Sequence, residues 1–281
     1  DTIEGGGITV KPNVKYKEVM KTLSTNALVK DAACDFADQS TVTLAERILQ
    51  PEEFQVNLEL CKKDFHNDWE AIQMGYSAFD SLPPSFADFL IGHIAAKVAQ
   101  KTEETIWTGT TATAGEFDGF ATLLAADATV IDVVGTTVTA ANVIDELGKV
   151  VDAIPTAVYG KEDLYIYVSQ SIARAYVRAL GGFGASGLGA NGVNNAGTTW
   201  YNGGDLAFDG VKLFVCSGMA DNDMVAAQKS NLFFGTGLLS DHNEVKLIDM
   251  ADLDGSQNVR VVMRFTSGVQ YGIGADIVYY T

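Results

Sequence analysis

The residues of this 281-residue chain that could do chemistry do not converge on one mechanism. Gly182-Phe183-Gly184-Ala185-Ser186-Gly187 spells GxGxxG. A dinucleotide fingerprint must leave a strand and open a helix, so that the pyrophosphate meets the helix N-terminus. Here the motif follows a helical stretch and leads into more glycine- and asparagine-rich chain, which argues against a bound cofactor. No GxxxxGK followed by Ser or Thr is present, and Ser186 lacks the GxSxG spacing of a strained nucleophile. His66, His93 and His242 are the only histidines, and none stands at ligand spacing from another. Cys34, Cys61 and Cys216 are odd in number, far apart and without a CxxC, which speaks for reduced thiols rather than zinc or a disulfide framework. Cys61 is followed by Lys62 and Lys63, whose charge would lower a thiol pKa, but no base accompanies them. Asp221/Asp223 and Asp252/Asp254 resemble fragments of calcium loops without the full ligand series, so turn formation is the better reading. The expectation is no catalytic residue, no cofactor and no metal.

The elements around these residues are more informative. Between Leu82 and Gly109 lies an uninterrupted helical pattern, with Phe86, Leu90, Ile94 and Val98 at i+4 and Phe89, Ile91, Ala95, Ala99 and Ile106 widening the stripe. Pro84 suits the first turn, and Gly109 a left-handed stop. Residues 40–62 read as a long β-hairpin. Val42, Leu44 and Ile48 share one face of its first strand, Gln50-Pro51-Glu52-Glu53 forms the tip, and Phe54, Val56, Leu58 and Leu60 alternate with Gln55, Asn57 and Glu59 in the second. Two strands with one apolar face are marginal alone in water, so this chain's body or another subunit must cover them. A connector over 65–81 carries a short helix around Trp69–Gly75. Further along, 140–154 reads as a helix with Val143, Ile144, Leu147, Val150 and Val151 inward. Leu164–Val168 reads as a buried strand, and 169–180 as a helix capped by Ser169 or Ser171. Residues 181–204 form a long loop, which in a compact domain is usually functional. Short strands follow, with turns at Asp209-Gly210 and Asp221-Asn222-Asp223. At the end, two alternating strands are separated by a turn at Ser267-Gly268.

Composition narrows the partners. The net charge of −17 argues against a protein that grips phosphates with Lys and Arg. Residues 1–30 carry five lysines against three acids, a local +2 that leaves −19 for the rest. Lys11, Lys15, Lys17 and Lys21 thus lie on a basic arm that could dock on an acidic neighbour. No apolar run reaches the roughly 18 residues that a membrane helix needs.

The order of these parts resembles the major capsid protein of tailed bacteriophages, a fold shared with herpesvirus capsid floors and encapsulins. The resemblance rests on a loose arm, an extended hairpin and a long helix ending KTEETIWTG. It rests also on MVAAQKSNLFFGTGLLSDHNEVKLID (Met224–Asp249) followed by VRVVMRFTSGVQYGIGADIVYYT. It implies an α+β fold: N-terminal arm and lead-in (1–37), extended hairpin loop (38–64), and peripheral domain (65–117) with spine helix 84–108. An axial domain (118–240) and C-terminal strands (241–281) complete it. It implies a self-assembling subunit of an icosahedral head shell, in pentamers and hexamers, with a portal protein at one vertex and, in some shells, a decoration protein. The enclosed DNA would be held without tight binding, in a virion assembled in the host cytoplasm. Phe54, Val56, Leu58, Leu60 and the four arm lysines would contact neighbours, and Trp200 and Tyr201 would anchor the 181–204 loop near a symmetry axis. Asp1 in place of Met fits a family whose N-terminal scaffold sequence is often cleaved. Some relatives cross-link Lys to Asn, but Lys62 and Lys63 sit at the base of the expected hairpin, which counts against it. The alternatives are an α/β enzyme or ligand-binding domain with the 181–204 loop as a lid, and an encapsulin-type shell protein.

Overall fold

A computed structural model of the chain describes residues 2–26, 29, 31–32, 34, 41–65, 84–180, 206–238 and 244–281. In chain order its strands are β1 (Thr9–Lys11), β2 (Glu18–Thr25), β3 (Val42–Leu49), β4 (Glu52–Cys61), β5 (Ile131–Val133), β6 (Leu164–Ser169), β7 (Ala207–Phe208), β8 (Val211–Cys216), β9 (Met224–Gln228), β10 (Leu232–Thr236), β11 (Lys246–Asp249), β12 (Asn258–Tyr271) and β13 (Val278–Tyr280). The helices are α1 (Pro84–Thr108), α2 (Phe120–Ala125), α3 (Val143–Ala153), α4 (Gln170–Ala179) and α5 (Ala251–Asp254).

A six-stranded sheet, ordered β5-β13-β9-β6-β8-β7, is buried on both faces. Alternation sorts its side chains. Leu164, Ile166, Val168, Met224, Ala226, Val278 and Tyr280 face α3 and α4, in a core with Val143, Leu147, Val150 and Val151. Tyr167, Val225, Ala227, Ile277 and Tyr279 face the other way, onto Trp107, Phe120 and Leu124 at the end of α1 and in α2. Two-faced burial explains why the run Leu164–Val168 is apolar without a polar alternate. Ser169 caps α4 by accepting from the Ile172 N–H at 3.4 Å, and Asp209 and Gly210 turn the chain at φ 46° and 81°. α3 lies within the expected helix, but Ile144 is 47% exposed and faces outward.

A second sheet runs β1-β10-β12-β11, with β4 also on β12. β12 is one strand of 14 residues through Ser267-Gly268, where a turn was expected. Gly268 serves close approach instead: a Cβ there would lie 2.9 Å from the Pro51 Cα. Gly235, its partner across the ladder, is roofed by the Leu49 side chain in the same way. Gly109 is a similar case. It does not take the left-handed conformation expected of it, but a Cβ would lie 2.4 Å from the Phe117 carbonyl oxygen.

Two further expectations need correction. The strands 42–49 and 52–61 exist but do not pair with each other. β3 pairs with β2, Val42 to Thr25 through Leu49 to Glu18, while β4 pairs with β12. The extended hairpin is therefore β2–β3, and the chain crosses to another sheet at Gln50-Pro51. The N-terminal segment is not a loose arm either. β1 runs parallel to β10, Ile8 and Val14 are buried, and the Tyr167 hydroxyl donates to the Gly7 carbonyl. The Thr2 N–H donates to Glu103 Oε2 at 2.9 Å, and Trp107 Nε1 donates to the Thr2 hydroxyl at 2.9 Å. The helix expected around Trp69–Gly75 and the 181–204 loop, with its GxGxxG, Trp200 and Tyr201, lie outside the described residues.

Candidate assembly surfaces

The β2–β3 ribbon has one face of exposed apolar residues. Residues opposite one another in the ladder share a face, so Val19 and Ile48, Leu23 and Leu44, and Val42 line up with the Lys21–Glu46 pair among them. Their exposures are 42%, 47%, 65%, 63% and 57% respectively. Lys21 and Glu46 are 3.6 Å apart. The grouping of Val42, Leu44 and Ile48 was legible in the sequence. The contribution of β2 was not, because EVMKTLST alternates weakly.

The base of the ribbon is held firmly. Met20, Leu49 and Val14 form a small core with Phe233. On the same side Arg47 pairs with Asp127 and lies 4.2 Å above the Tyr271 ring centroid. Asp127 also accepts from the Tyr271 hydroxyl at 2.7 Å and from the Thr129 N–H at 2.9 Å. The Tyr271 hydroxyl, then the Thr129 N–H and Arg47, hold the Asp127 carboxyl well below the usual carboxylate range. Burial, with Asp127 as acceptor, pushes Tyr271 up to about 12. Nothing in the sequence pattern marks these three residues as partners, since they are spread from position 47 to 271.

Phe54, Val56, Leu58 and Leu60 lie on one face of β4, in register with Phe265, Met263, Val261 and Val259. They belong to this chain's own sheet: Phe54 packs on Phe117 and Phe265, with centroids 6.0 and 5.7 Å away. They also stand at the sheet's edge, with Leu58 37% exposed and the other three half-buried. The lysines are dispersed. Lys11 pairs with Glu18 at 2.5 Å and lies over Phe233, Lys17 lies over Tyr16, and Lys15 is exposed. Lys62 is 3% exposed and paired with Asp249 at 2.5 Å. On α1, Phe89 is 54% exposed and stacks on His93. Asp223 accepts from the Tyr279 hydroxyl at 3.1 Å within a turn, and burial raises its carboxyl. Burial pushes the Cys216 thiol up, away from reactivity. Among the described residues no group of three or more His, Cys, Asp or Glu is placed to hold a metal ion.

A scan against protein-family models finds no match, and a search of curated protein sequences finds none. Solved structures do match. The capsid of Myoviridae phage XM1 superposes with a TM-score of 0.62 at 10% identity, over 100% of this chain and 91% of that one. The capsid of the native GTA particle gives 0.62 at 12%, over 97% and 87%. A chain from Mycobacterium phage Che8 gives 0.58 at 13%, over 94% and 84%. The likeness runs the length of both partners, at identities where only the fold is shared.

Proposed function

We propose, from the tailed-phage major capsid fold that this chain shares with those structures, that it is the structural subunit of a tailed-phage head shell. The role is structural rather than enzymatic. The observation that carries the reading is the β2–β3 ribbon: anchored at its base, it projects an apolar face that the described residues of its own chain leave uncovered. Fully burying one such side chain is worth about 1.5–3 kcal/mol. Five residues already half covered would supply several kcal/mol, against an association cost of about 4–15 kcal/mol. One ribbon contact is therefore marginal, and a closed shell in which every subunit gives and receives such contacts is the stable product.

Pentamers and hexamers of this chain would form the shell, with a portal at one vertex and, where present, a decoration protein on the outside. The capsid of the native GTA particle, computed with C5 symmetry, supports the five-fold part. An acidic wall of net charge −17 suits a container that holds DNA without binding it tightly. Virion localisation and assembly in the host cytoplasm follow from this reading. Phe54, Val56, Leu58 and Leu60 remain contact residues as the edge of β4, as do Lys15, Lys17 and Lys21. The 181–204 loop, with Trp200 and Tyr201, would meet its copies near the symmetry axes. Negative-stain imaging and sedimentation of the purified chain test the proposal. Closed shells are expected, and a monomer with a ligand-dependent melting shift would overturn it.

A further inference from the structure

Residues 258–281 supply the middle of both large sheets. β12 carries β4 along one side and β10 and β11 along the other, and β13 lies between β5 and β9. Among the described residues, every strand pairing of β4, β5 and β11 is to this segment. Tyr271 and Tyr280 are two of the largest fully buried side chains. The segment's three tyrosine hydroxyls reach carboxylates far apart in the chain: Tyr271 donates to Asp127 at 2.7 Å, Tyr279 to Asp223 at 3.1 Å and Tyr280 to Glu146 at 2.8 Å. Where the chain crosses from one sheet to the other, one side chain pins it. Asn231 Oδ1 accepts from the Ile273 N–H at 2.8 Å, and its Nδ2 donates to the Ile273 carbonyl at 2.8 Å. The two insertions are thereby joined.

We propose that this segment is a keystone: it enters both sheets last, and the subunit becomes complete, and able to assemble, only then. Synthesis runs from residue 1 upward, so 258–281 leave the ribosome after every strand they join. At roughly 5–20 residues per second, these 24 residues take roughly 1–5 s to make. A β-hairpin forms in about 1–10 μs, so the β2–β3 ribbon can form long before. Throughout that interval β4, β5 and β11 lack the strands that they pair with, and the Arg47 grip lacks the Tyr271 ring. The ribbon then has its apolar face without a fixed base. Chains growing on one message are held close together, and subunits that matured early would associate there. Making both sheets depend on the strands made last removes that hazard. The effect on folding rests on the topology alone, and the effect on assembly rests on the shell reading.

The test arrests the full chain on the ribosome, once directly after Thr281 and once behind a flexible linker long enough to carry Thr281 out of the exit tunnel. Brief digestion with a protease of broad specificity should cut the directly arrested chain in β4 and β5 and spare the linker form. Puromycin release of the directly arrested chain should make it resistant and let it enter shells with purified wild-type subunits. Full-length Asn231→Ala reads the joining of the two strands without arrest. In wild-type subunits the amides of β12 and β13 should exchange through one common opening. In the variant those of β13 should exchange about tenfold sooner, the worth of one hydrogen bond, while those of β12 keep their rate. Protection of β4 while 258–281 is still inside the ribosome overturns the keystone, as does a linker form that stays sensitive, and the shell reading stands in both cases. Unchanged exchange in Asn231→Ala overturns the joined insertion. A released chain that resists the protease but never sediments as shells overturns the shell reading and the consequence for assembly, and leaves the order of folding in place.

Discussion

Asp127 is the residue on which the base of the ribbon depends. Its folded pKa lies below the unfolded value of about 3.9. The stability it contributes is therefore complete above that value and lost as pH falls through the folded one. Unfolding followed by circular dichroism should show stability falling below about pH 4, with a shallower fall in Asp127→Asn. At neutral pH that variant should lose roughly 1.5–3 kcal/mol, the worth of hydrogen bonds to a charged group. Tyr271, Tyr279 and Tyr280 are each raised to about 12, chiefly by burial. With folded values above the unfolded 10, they stabilise below pH 10 and lose that contribution toward pH 12. Their tyrosinate absorbance should thus appear together with unfolding rather than before it. Glycines show where reading by residue type falls short. Gly109 and Gly268 were legible as special positions, but a turn and a close approach call for the same residue, and only the neighbours Phe117 and Pro51 distinguish them. Gly109→Ala should destabilise by about 1–3 kcal/mol, as overpacking does, measured by urea unfolding of the subunit.

Elements were legible in their type more than in their partners. Apolar spacing gave α1 at 84–108, because Phe86, Leu90, Ile94 and Val98 recur at every fourth position between Pro84 and Gly109. It placed strands at 42–49 and 52–61 for the same kind of reason. Alternation says which face of a strand is buried and nothing about which strand lies beside it. Two alternating runs separated by Gln50-Pro51 therefore read as a hairpin, although Pro51 packs on Gly268 and sends the chain into another sheet. The correction changes which substitution separates folding from assembly. Leu44→Asp, on a residue 63% exposed, should leave the subunit's melting temperature near wild type and abolish shells in sedimentation. Val56→Asp, in register with Met263, which is 2% exposed, should lower the melting temperature as well, because it places a charge on a half-buried face of the chain's own sheet.

At the scale of the whole molecule, the order of parts was legible from sequence and the exposed apolar face of the ribbon only in fragments. The face of Val42, Leu44 and Ile48 was legible, while Val19 and Leu23 on the same face of the ribbon were missed because EVMKTLST alternates weakly. The interior is uneven: a two-faced sheet closed by large aromatics, and a ribbon anchored at one end on β10 and β12 of the other sheet. Hydrogen exchange on free subunits should find the β6 and β9 amides protected to the limit of global unfolding and the β2 and β3 amides exchanging far sooner. The grip at Arg47 then acquires a mechanical meaning. From Arg47 to Val42 is five residues of strand, a lever of about 17 Å. A rotation of about 10° at its fulcrum carries the far end sideways by about 3 Å, and a hydrogen bond keeps its strength over a window of only about 0.5 Å. Any bond made at the level of Val42 thus holds the angle at Arg47 to within about 2°. A guanidinium clamped between a carboxylate and an aromatic ring is the hinge stop that fixes the pitch of the ribbon.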